Sequence, residues 1–145
     1  DQRLPPCVGI TVVGEPLNYR TSARPRSLEP LLRRFYRALR PGGRLIFDIV
    51  TEAPASETRG FVEGSDWTVL VRRSPIAMGL RRDITVYRRH GQQYRRSDET
   101  HWVQVYQGAE VLASLRKVGF KAQMRRRYGS FELLPRRRAF FATKA

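Results

Sequence analysis

The sequence predicts an α/β fold in which two parallel strands, joined by a helix, are followed by an antiparallel hairpin. Three observations lead to this prediction. An amphipathic helical segment lies between two short apolar runs, the second of those runs is apolar on both faces, and two long β-rich segments flank a glycine-containing turn. Strand, helix and strand in this order predict a right-handed crossover between parallel neighbours.

The helix is predicted to begin at Ser27, whose hydroxyl can cap it, with Glu29 in its positively polarised first turn. Residues 41–43, Pro-Gly-Gly, should end it and reverse the chain, since proline cannot continue a helix and glycine accepts unusual backbone angles. The apolar stripe of this helix consists of Leu28, Leu31, Leu32, Phe35 and Leu39.

The strands on either side of the helix are predicted at residues 7–13 and 45–50. Asp48 lies near the carboxyl end of the second strand, and ligands of open α/β sheets bind at that end of the strands. Asp48 is therefore a candidate ligand contact. Alternatively, it caps the following turn or holds Arg44.

The second half of the chain is predicted to contain antiparallel strands and a second helix. Residues 52–65 contain Pro54, Gly60 and Gly64 and are expected to form a flexible connector. The predicted strands are at residues 67–72, 80–89, 93–106, 120–127 and 138–144, with a hairpin turn at residues 90–92 and a helix at residues 109–118.

One face of the predicted strand 93–106 carries titratable side chains. With a period of two, Glu99 and His101 share a face with valines, so neither is expected to be simply solvated. Either both side chains line a binding pocket, or Glu99 pairs with Arg82 or Arg96 and His101 is a half-buried structural histidine.

Two segments of the first half resemble a known family. PPCVGITVVGEPLNYR and YRALRPGGRLIFDI resemble the fourth strand, its loop, the next helix and the fifth strand of class I S-adenosylmethionine-dependent methyltransferases. The downstream hairpin and the closing AFFA strand resemble the lid and C-terminal hairpin of small-molecule members. The resemblance implies a Rossmann-like sheet with its fourth, fifth, seventh and sixth strands adjacent in that order, in one domain at residues 1–145 with an antiparallel lid insertion at residues 66–107.

The resemblance also implies an activity, which is methyl transfer from the cofactor S-adenosylmethionine to a small-molecule acceptor. The implied site residues are cofactor-binding Gly14, Glu15 and Asn18, catalytic Tyr19, Glu99 and His101, and substrate-binding Asp48 and Trp67. In this scheme Tyr19 stands between cofactor and acceptor, and His101 or Glu99 is the base. Tyr19 and Trp67 have an alternative role as ordinary packing aromatics.

The glycine-rich cofactor loop of that family has no counterpart before Cys7. We therefore expect this chain to be the C-terminal portion of a longer enzyme and to be inactive alone. The strand that normally covers the fourth strand would also be absent. Residues 8–13 are then expected to form an exposed edge that promotes self-association.

Composition keeps a different function open. The formal net charge is +15, from 28 basic and 13 acidic residues, which is typical of nucleic-acid-binding modules. The arginine clusters at residues 125–127 and 136–138 either face phosphates or are solvated strand ends. A nucleic-acid-binding α/β module and an inactive methyltransferase-like interaction domain are therefore the alternative readings.

The remaining expectations concern compartment and metal. No apolar run is long enough to span a membrane, and no signal-peptide pattern is present, so we expect a cytoplasmic protein. Two histidines and the single Cys7 do not make a metal-binding set, and Cys7 is expected to be a small buried strand residue.

Overall fold

The computed structural model describes residues 4–20 and 25–145. Within these residues the chain forms two larger sheets, a short two-stranded ribbon and two α-helices. The elements are β1 Cys7–Val12, β2 Tyr19–Arg20, α1 Glu29–Ala38, β3 Leu39–Val50, β4 Thr58–Glu63, β5 Trp67–Ile76, β6 Gly79–His90, β7 Gln93–Gln104, α2 Gly108–Val118, β8 Phe120–Arg125, β9 Arg127–Tyr128, β10 Phe131–Glu132 and β11 Arg137–Lys144.

The first sheet, which we call the core sheet, has the strand order β1-β3-β11-β8. β1 and β3 are parallel, and β11 lies antiparallel between β3 and β8. This confirms the predicted α/β fold and the predicted order of fourth, fifth, seventh and sixth strands. Among the described strands β1 is an edge, as predicted, and Val8 and Val13 are 69% and 61% exposed.

The main hydrophobic core lies between the core sheet and the two helices. Alternate residues of β3, namely Leu45, Phe47 and Ile49, are fully buried, and the rings of Phe47 and Phe140 stack with centroids 4.9 Å apart. Leu32 of α1 and Leu115 of α2 are also fully buried in this core. The apolar stripe predicted for the first helix therefore packs into this core.

The structure changes the prediction at the end of α1. Leu39 already has extended backbone angles and pairs with Cys7, so the strand begins before the Pro-Gly-Gly segment. The pairing then shifts to Gly9 with Arg44, and Gly42 has a φ of 76°, which is the kind of backbone angle expected for a glycine of the Pro-Gly-Gly segment. At the start of α1 Leu28 occupies the N-cap position, and the Ser27 hydroxyl accepts a hydrogen bond from the Glu29 N–H at 3.2 Å.

The second sheet, which we call the lid sheet, is antiparallel and has the strand order β2-β7-β6-β5-β4. The prediction of a flexible connector is wrong at residues 58–63, because β4 pairs with β5 over its whole length. Both Phe61 and Val62 are more than 60% exposed, so β4 is held by backbone pairing. An edge strand of this kind lacks the alternating burial pattern that marks strands in a sequence.

Asn18 joins the two sheets where they meet. Its buried side chain donates from Nδ2 to the carbonyls of Val50 at 2.9 Å and Gln104 at 2.7 Å, and its Oδ1 accepts from the Val50 N–H at 3.0 Å. One amide therefore ties together the loop after β1, the end of β3 and the end of β7. Leu80 and Val103 form a second small core with Val50 at the same junction.

Two further expectations from the sequence concern membrane-spanning segments and metal sites. Within residues 4–20 and 25–145, no helix is long and apolar enough to cross a membrane, and no group of three or more metal-ligating side chains occurs. Cys7 is a free, half-buried strand residue whose thiol lies 3.7 Å from the carbonyl of Ala38.

Candidate active site

Glu15 is the centre of a charged cluster between the two sheets. It follows Gly14 at the carboxyl end of β1, is only 2% exposed and has a φ of 68°, a left-handed conformation that costs non-glycine residues energy. Its Oε1 lies 2.6 Å from Nη1 of Arg82 on β6, and its Oε2 lies 2.7 Å from Nη2 of Arg137 on β11. One buried carboxylate thus connects the lid sheet with the core sheet.

The two arginines contact Glu15 differently. Arg82 donates a hydrogen bond, whereas Arg137 makes a close charge pair whose geometry leaves Oε2 without a directed hydrogen bond among the described residues. Burial lowers the pKa of Arg82, but the hydrogen bonds and charges of Glu15 and Tyr19 outweigh burial and raise it overall. Arg82 therefore stays protonated beside its carboxylate partner.

Asp48 lies beneath the Gly14–Glu15 turn and is 1% exposed. Its Oδ1 accepts hydrogen bonds from the Gly14 N–H at 2.8 Å and the Tyr128 hydroxyl at 3.0 Å, and its Oδ2 is 3.5 Å from Arg137 Nη1. Burial and the bond to Asp48 raise the pKa of Tyr128, so this hydroxyl remains a donor. Asp48 holds the turn, and its contact with substrate stays a prediction.

Tyr19 and His101 lie side by side at the same junction. The Tyr19 ring meets the His101 ring edge-on with centroids 5.2 Å apart, and the Tyr19 hydroxyl is 3.2 Å from Arg82 Nη1 and 3.4 Å from Glu15 Oε1. Arg82 and His101 are direct neighbours across β6 and β7. The structure thus brings together Glu15, Tyr19 and His101, which the sequence had singled out separately.

Glu99 pairs with His101 and with neither of the arginines considered from the sequence. Its Oε2 lies 3.1 Å from His101 Nε2, because side chains two residues apart on a strand share a face. Arg82 is engaged by Glu15, and Arg96 pairs with Asp98 at 2.8 Å. The expected pairing of Glu99 with Arg82 or Arg96 is therefore wrong.

Two buried nitrogen atoms of this cluster have no hydrogen-bond partner among the described residues. They are Nδ1 of His101 and Nε of Arg82. A ring nitrogen facing a carboxylate is best satisfied as an N–H donor, and this assignment leaves Nδ1 of His101 with its lone pair. The site therefore offers one proton acceptor and one N–H donor, and buried polar atoms of this kind call for partners.

A cleft with a volume of about 500 Å³ opens between the lid sheet and the ends of the core strands. Its lining includes Glu15 and Arg82, and the volume falls in the range of small-molecule sites. The other lining residues are Val50, Glu52, Pro54, Thr58, Val71, Arg73, Leu80, Ile84, Leu134, Pro135, Arg136 and Arg137.

Trp67 is not brought to this cleft. It pairs with Arg88 near the opposite end of β5, whereas Arg73 lies across from Arg82 at the cleft. Trp67 and Arg73 are six positions apart on the strand, a span of about 20 Å at the usual rise of an extended chain. A role for Trp67 in substrate binding stays a prediction without a neighbouring site residue.

Sequence reasoning treated Arg137 only as a member of an arginine cluster. In the structure its side chain pairs with two buried carboxylates, Glu15 and Asp48. In the other arginine cluster, the guanidinium of Arg125 lies over the ring of Phe141, 5.3 Å from the ring centroid. The available signal was the presence of two acidic residues near the carboxyl ends of adjacent strands, which need cationic partners when buried.

Comparisons with known proteins identify the fold. No family model matches the chain, and no curated protein matches it. An S-adenosylmethionine-dependent methyltransferase from Clostridium acetobutylicum ATCC 824 superposes with a TM-score of 0.81 at 16% identity, covering 97% of this chain and 59% of that chain. The chain has a methyltransferase fold.

Two further structures agree with this result. DesVI of Streptomyces venezuelae gives a TM-score of 0.76 at 15% identity and is covered over 60% of its length. The sugar N-methyltransferase KedS8 from Streptoalloteichus sp ATCC 53650 gives 0.71 at 17% identity and is covered over 57%. This methyltransferase fold thus spans less than two thirds of the structures it matches, and the resemblance seen in the sequence is confirmed for the fold.

Proposed function

We propose that this chain is the acceptor-side part of an S-adenosylmethionine-dependent methyltransferase that acts on a small molecule. The observation that carries the proposal is the methyltransferase fold, shared over 97% of the chain with a TM-score of 0.81. The cleft beside Glu15 and Tyr19 supports it, because it lies where strand ends of the core sheet meet the lid sheet. The rest of the cofactor site would belong to sequence outside these residues.

The backbone near Gly14 is compatible with a cofactor lying against it. Gly14 has a φ of 88°, and a Cβ added there would meet no atom within 4 Å, so that side of the backbone is open. The side chains of Glu15 and Asn18 are already bound within the protein. In this proposal both residues act by shaping the turn, while the backbone of Gly14 and Glu15 contacts the methionine end of the cofactor.

The proposed reaction requires few catalytic groups from the protein. S-adenosylmethionine supplies an already activated methyl group when bound, so the residues of this chain need to orient the acceptor and take up its proton. Tyr19 forms the wall between cofactor and acceptor. His101 is the base: Glu99 holds its Nε2–H, and Nδ1, which has no hydrogen-bond partner among the described residues, accepts the proton of an amine or hydroxyl acceptor.

The two histidines allow a matched test of this proposal. The full-length gene product that contains this chain would be incubated with S-adenosyl-[methyl-³H]methionine and a panel of small amines and alcohols. We expect His101→Gln to lower kcat by at least about tenfold, given the usual contribution of a general base. His90→Gln, a change at the exposed hairpin end of β6, should leave kcat unchanged.

Two results would count against the proposal in different ways. If protein that binds S-adenosylhomocysteine methylates no acceptor in the panel, methyl transfer to this class of small molecule is wrong. If His101→Gln and His90→Gln behave alike on an accepted substrate, methyl transfer stands and the base is another group. The isolated chain is expected to bind the cofactor poorly, and micromolar affinity in calorimetry would contradict that expectation.

A further inference from the structure

Four guanidinium groups line the cleft, and only two of them have carboxylate partners among the described residues. Arg82 and Arg137 are paired with buried carboxylates of the core sheet. Arg73 and Arg136 form no ion pair with any residue in the described ranges 4–20 and 25–145, although both line the cleft. The other carboxylate of the lining, Glu52, is exposed. The cleft is therefore positively charged.

Arg73 is held next to another arginine. It is half-buried on β5 and lies directly opposite Arg82 on β6, on the same face of the lid sheet. Like charges directly opposite each other destabilise a sheet pair. Glu15 neutralises Arg82, but nothing among the described residues neutralises Arg73, so an anion in the cleft would relieve this repulsion.

Arg136 is held from the core side of the cleft. Its carbonyl accepts hydrogen bonds from the Thr51 N–H at 2.8 Å and the Thr51 hydroxyl at 3.2 Å, which fixes the backbone. Its φ of 66° is a left-handed conformation, and such strain is tolerated where the surroundings impose it, often at ligand sites. The backbone that carries the Arg136 side chain at the cleft is thus fixed.

A third observation points to an anion independently of the two free arginines. The Nε of Arg82 is a buried N–H donor without a partner among the described residues, and a ligand oxygen would satisfy it. The rest of the lining includes apolar side chains from both sheets, namely Val50 of the core sheet and Val71, Leu80 and Ile84 of the lid sheet. The complementary ligand has an apolar body and an anionic head.

We propose that the cleft binds a small molecule with an apolar body and a carboxylate or phosphate group, held by Arg73, Arg136 and the Nε of Arg82. The identification of this ligand as the methyl acceptor rests on the proposed function, whereas the anion site itself does not. Guanidinium groups suit this role because their planar N–H donors match carboxylate and phosphate oxygens.

Binding of three simple probes tests the proposal without any turnover. Benzoate, phenyl phosphate and benzamide share an aromatic body, and only the first two are anions. Titration at fixed ionic strength, followed by ¹⁵N NMR of the arginine Nε–H groups, should give at least about tenfold tighter binding of one or both anions than of benzamide. The tighter-binding anion identifies the head group as carboxylate or phosphate.

Matched variants separate a built site from general positive charge. Arg73→Gln and Arg136→Gln should each weaken anion binding at least about fivefold and leave benzamide binding unchanged. Arg88→Gln is the control, since Arg88 is an exposed residue on the same lid face near the far end of β6. Circular dichroism would establish that each variant is folded, and having two independent cleft variants keeps the test decisive if one does not fold.

Equal binding of benzamide and the anions overturns the proposal, as does an Arg88→Gln effect as large as that of Arg73→Gln. These outcomes are distinct from failure of the proposed function. Methyl transfer to neutral acceptors without anion selectivity would remove only the anion site. Selective anion binding without methyl transfer to any acceptor would leave the anion site and remove the proposed reaction.

Discussion

Replacing Glu15 with glutamine tests whether the buried carboxylate holds the two sheets together. The substitution keeps the size and shape of the side chain, removes its charge and replaces one acceptor oxygen with an NH2 donor. Arg82 and Arg137, whose side chains are 13% and 22% exposed, would then lose the carboxylate they share. Arg137 would retain Asp48 at 3.5 Å, whereas Arg82 has no other carboxylate partner among the described residues.

The expected loss follows from the burial of the partners. Removing one member of a buried ion pair typically costs about 3–5 kcal/mol, because the remaining charge is left uncompensated. Both guanidinium groups keep some contact with water, so we expect the lower end, about 3 kcal/mol. For a chain of this size that corresponds to a decrease in Tm of roughly 6–12 °C.

Thermal unfolding followed by circular dichroism measures this loss, and Glu29→Gln provides the control. Glu29 also pairs with two cations, Arg33 and Lys117, but those side chains are 45% and 66% exposed, so the control Tm should hardly change. The double variant Glu15→Gln with Arg82→Met should be more stable than Glu15→Gln alone, since it removes an uncompensated charge. Equal Tm values for Glu15→Gln and Glu29→Gln would refute the reasoning.

Two further predictions concern the sheet junction and the edge of the core sheet. Asn18→Ala should destabilise the chain by about 3 kcal/mol in urea denaturation, because it leaves one buried N–H and two carbonyls without the partner they have now; a loss near zero would contradict the junction role. Replacing Val8 and Val13 together with lysine should lower self-association in sedimentation experiments, because charges on an exposed edge oppose strand pairing. A wild-type chain that stays monomeric at high micromolar concentration would show that this edge does not drive association.

Some side-chain pairings at the candidate site could not be predicted from sequence patterns. Glu99 and His101 were placed on one face by periodicity, but their pairing with each other depended on Arg82 being engaged elsewhere. The pairing of Arg137 with Glu15 and Asp48 was equally unpredictable, because the sequence offers many arginines as possible partners. The sequence could not show how far Trp67 lies from the cleft, because that distance depends on how the neighbouring strands pair.

The sequence by itself determined the α/β class, the two amphipathic helices and most of the strands, because helical and strand periodicities are local and each buries one recognisable face. Its resemblance to a family supplied the strand order of the core sheet, which the structure confirms. Only the tertiary structure decided that Glu15 is the buried link between the sheets and that β4 extends the lid sheet. Ion pairing and edge-strand pairing join residues far apart in the chain, and which partners meet depends on the packed fold.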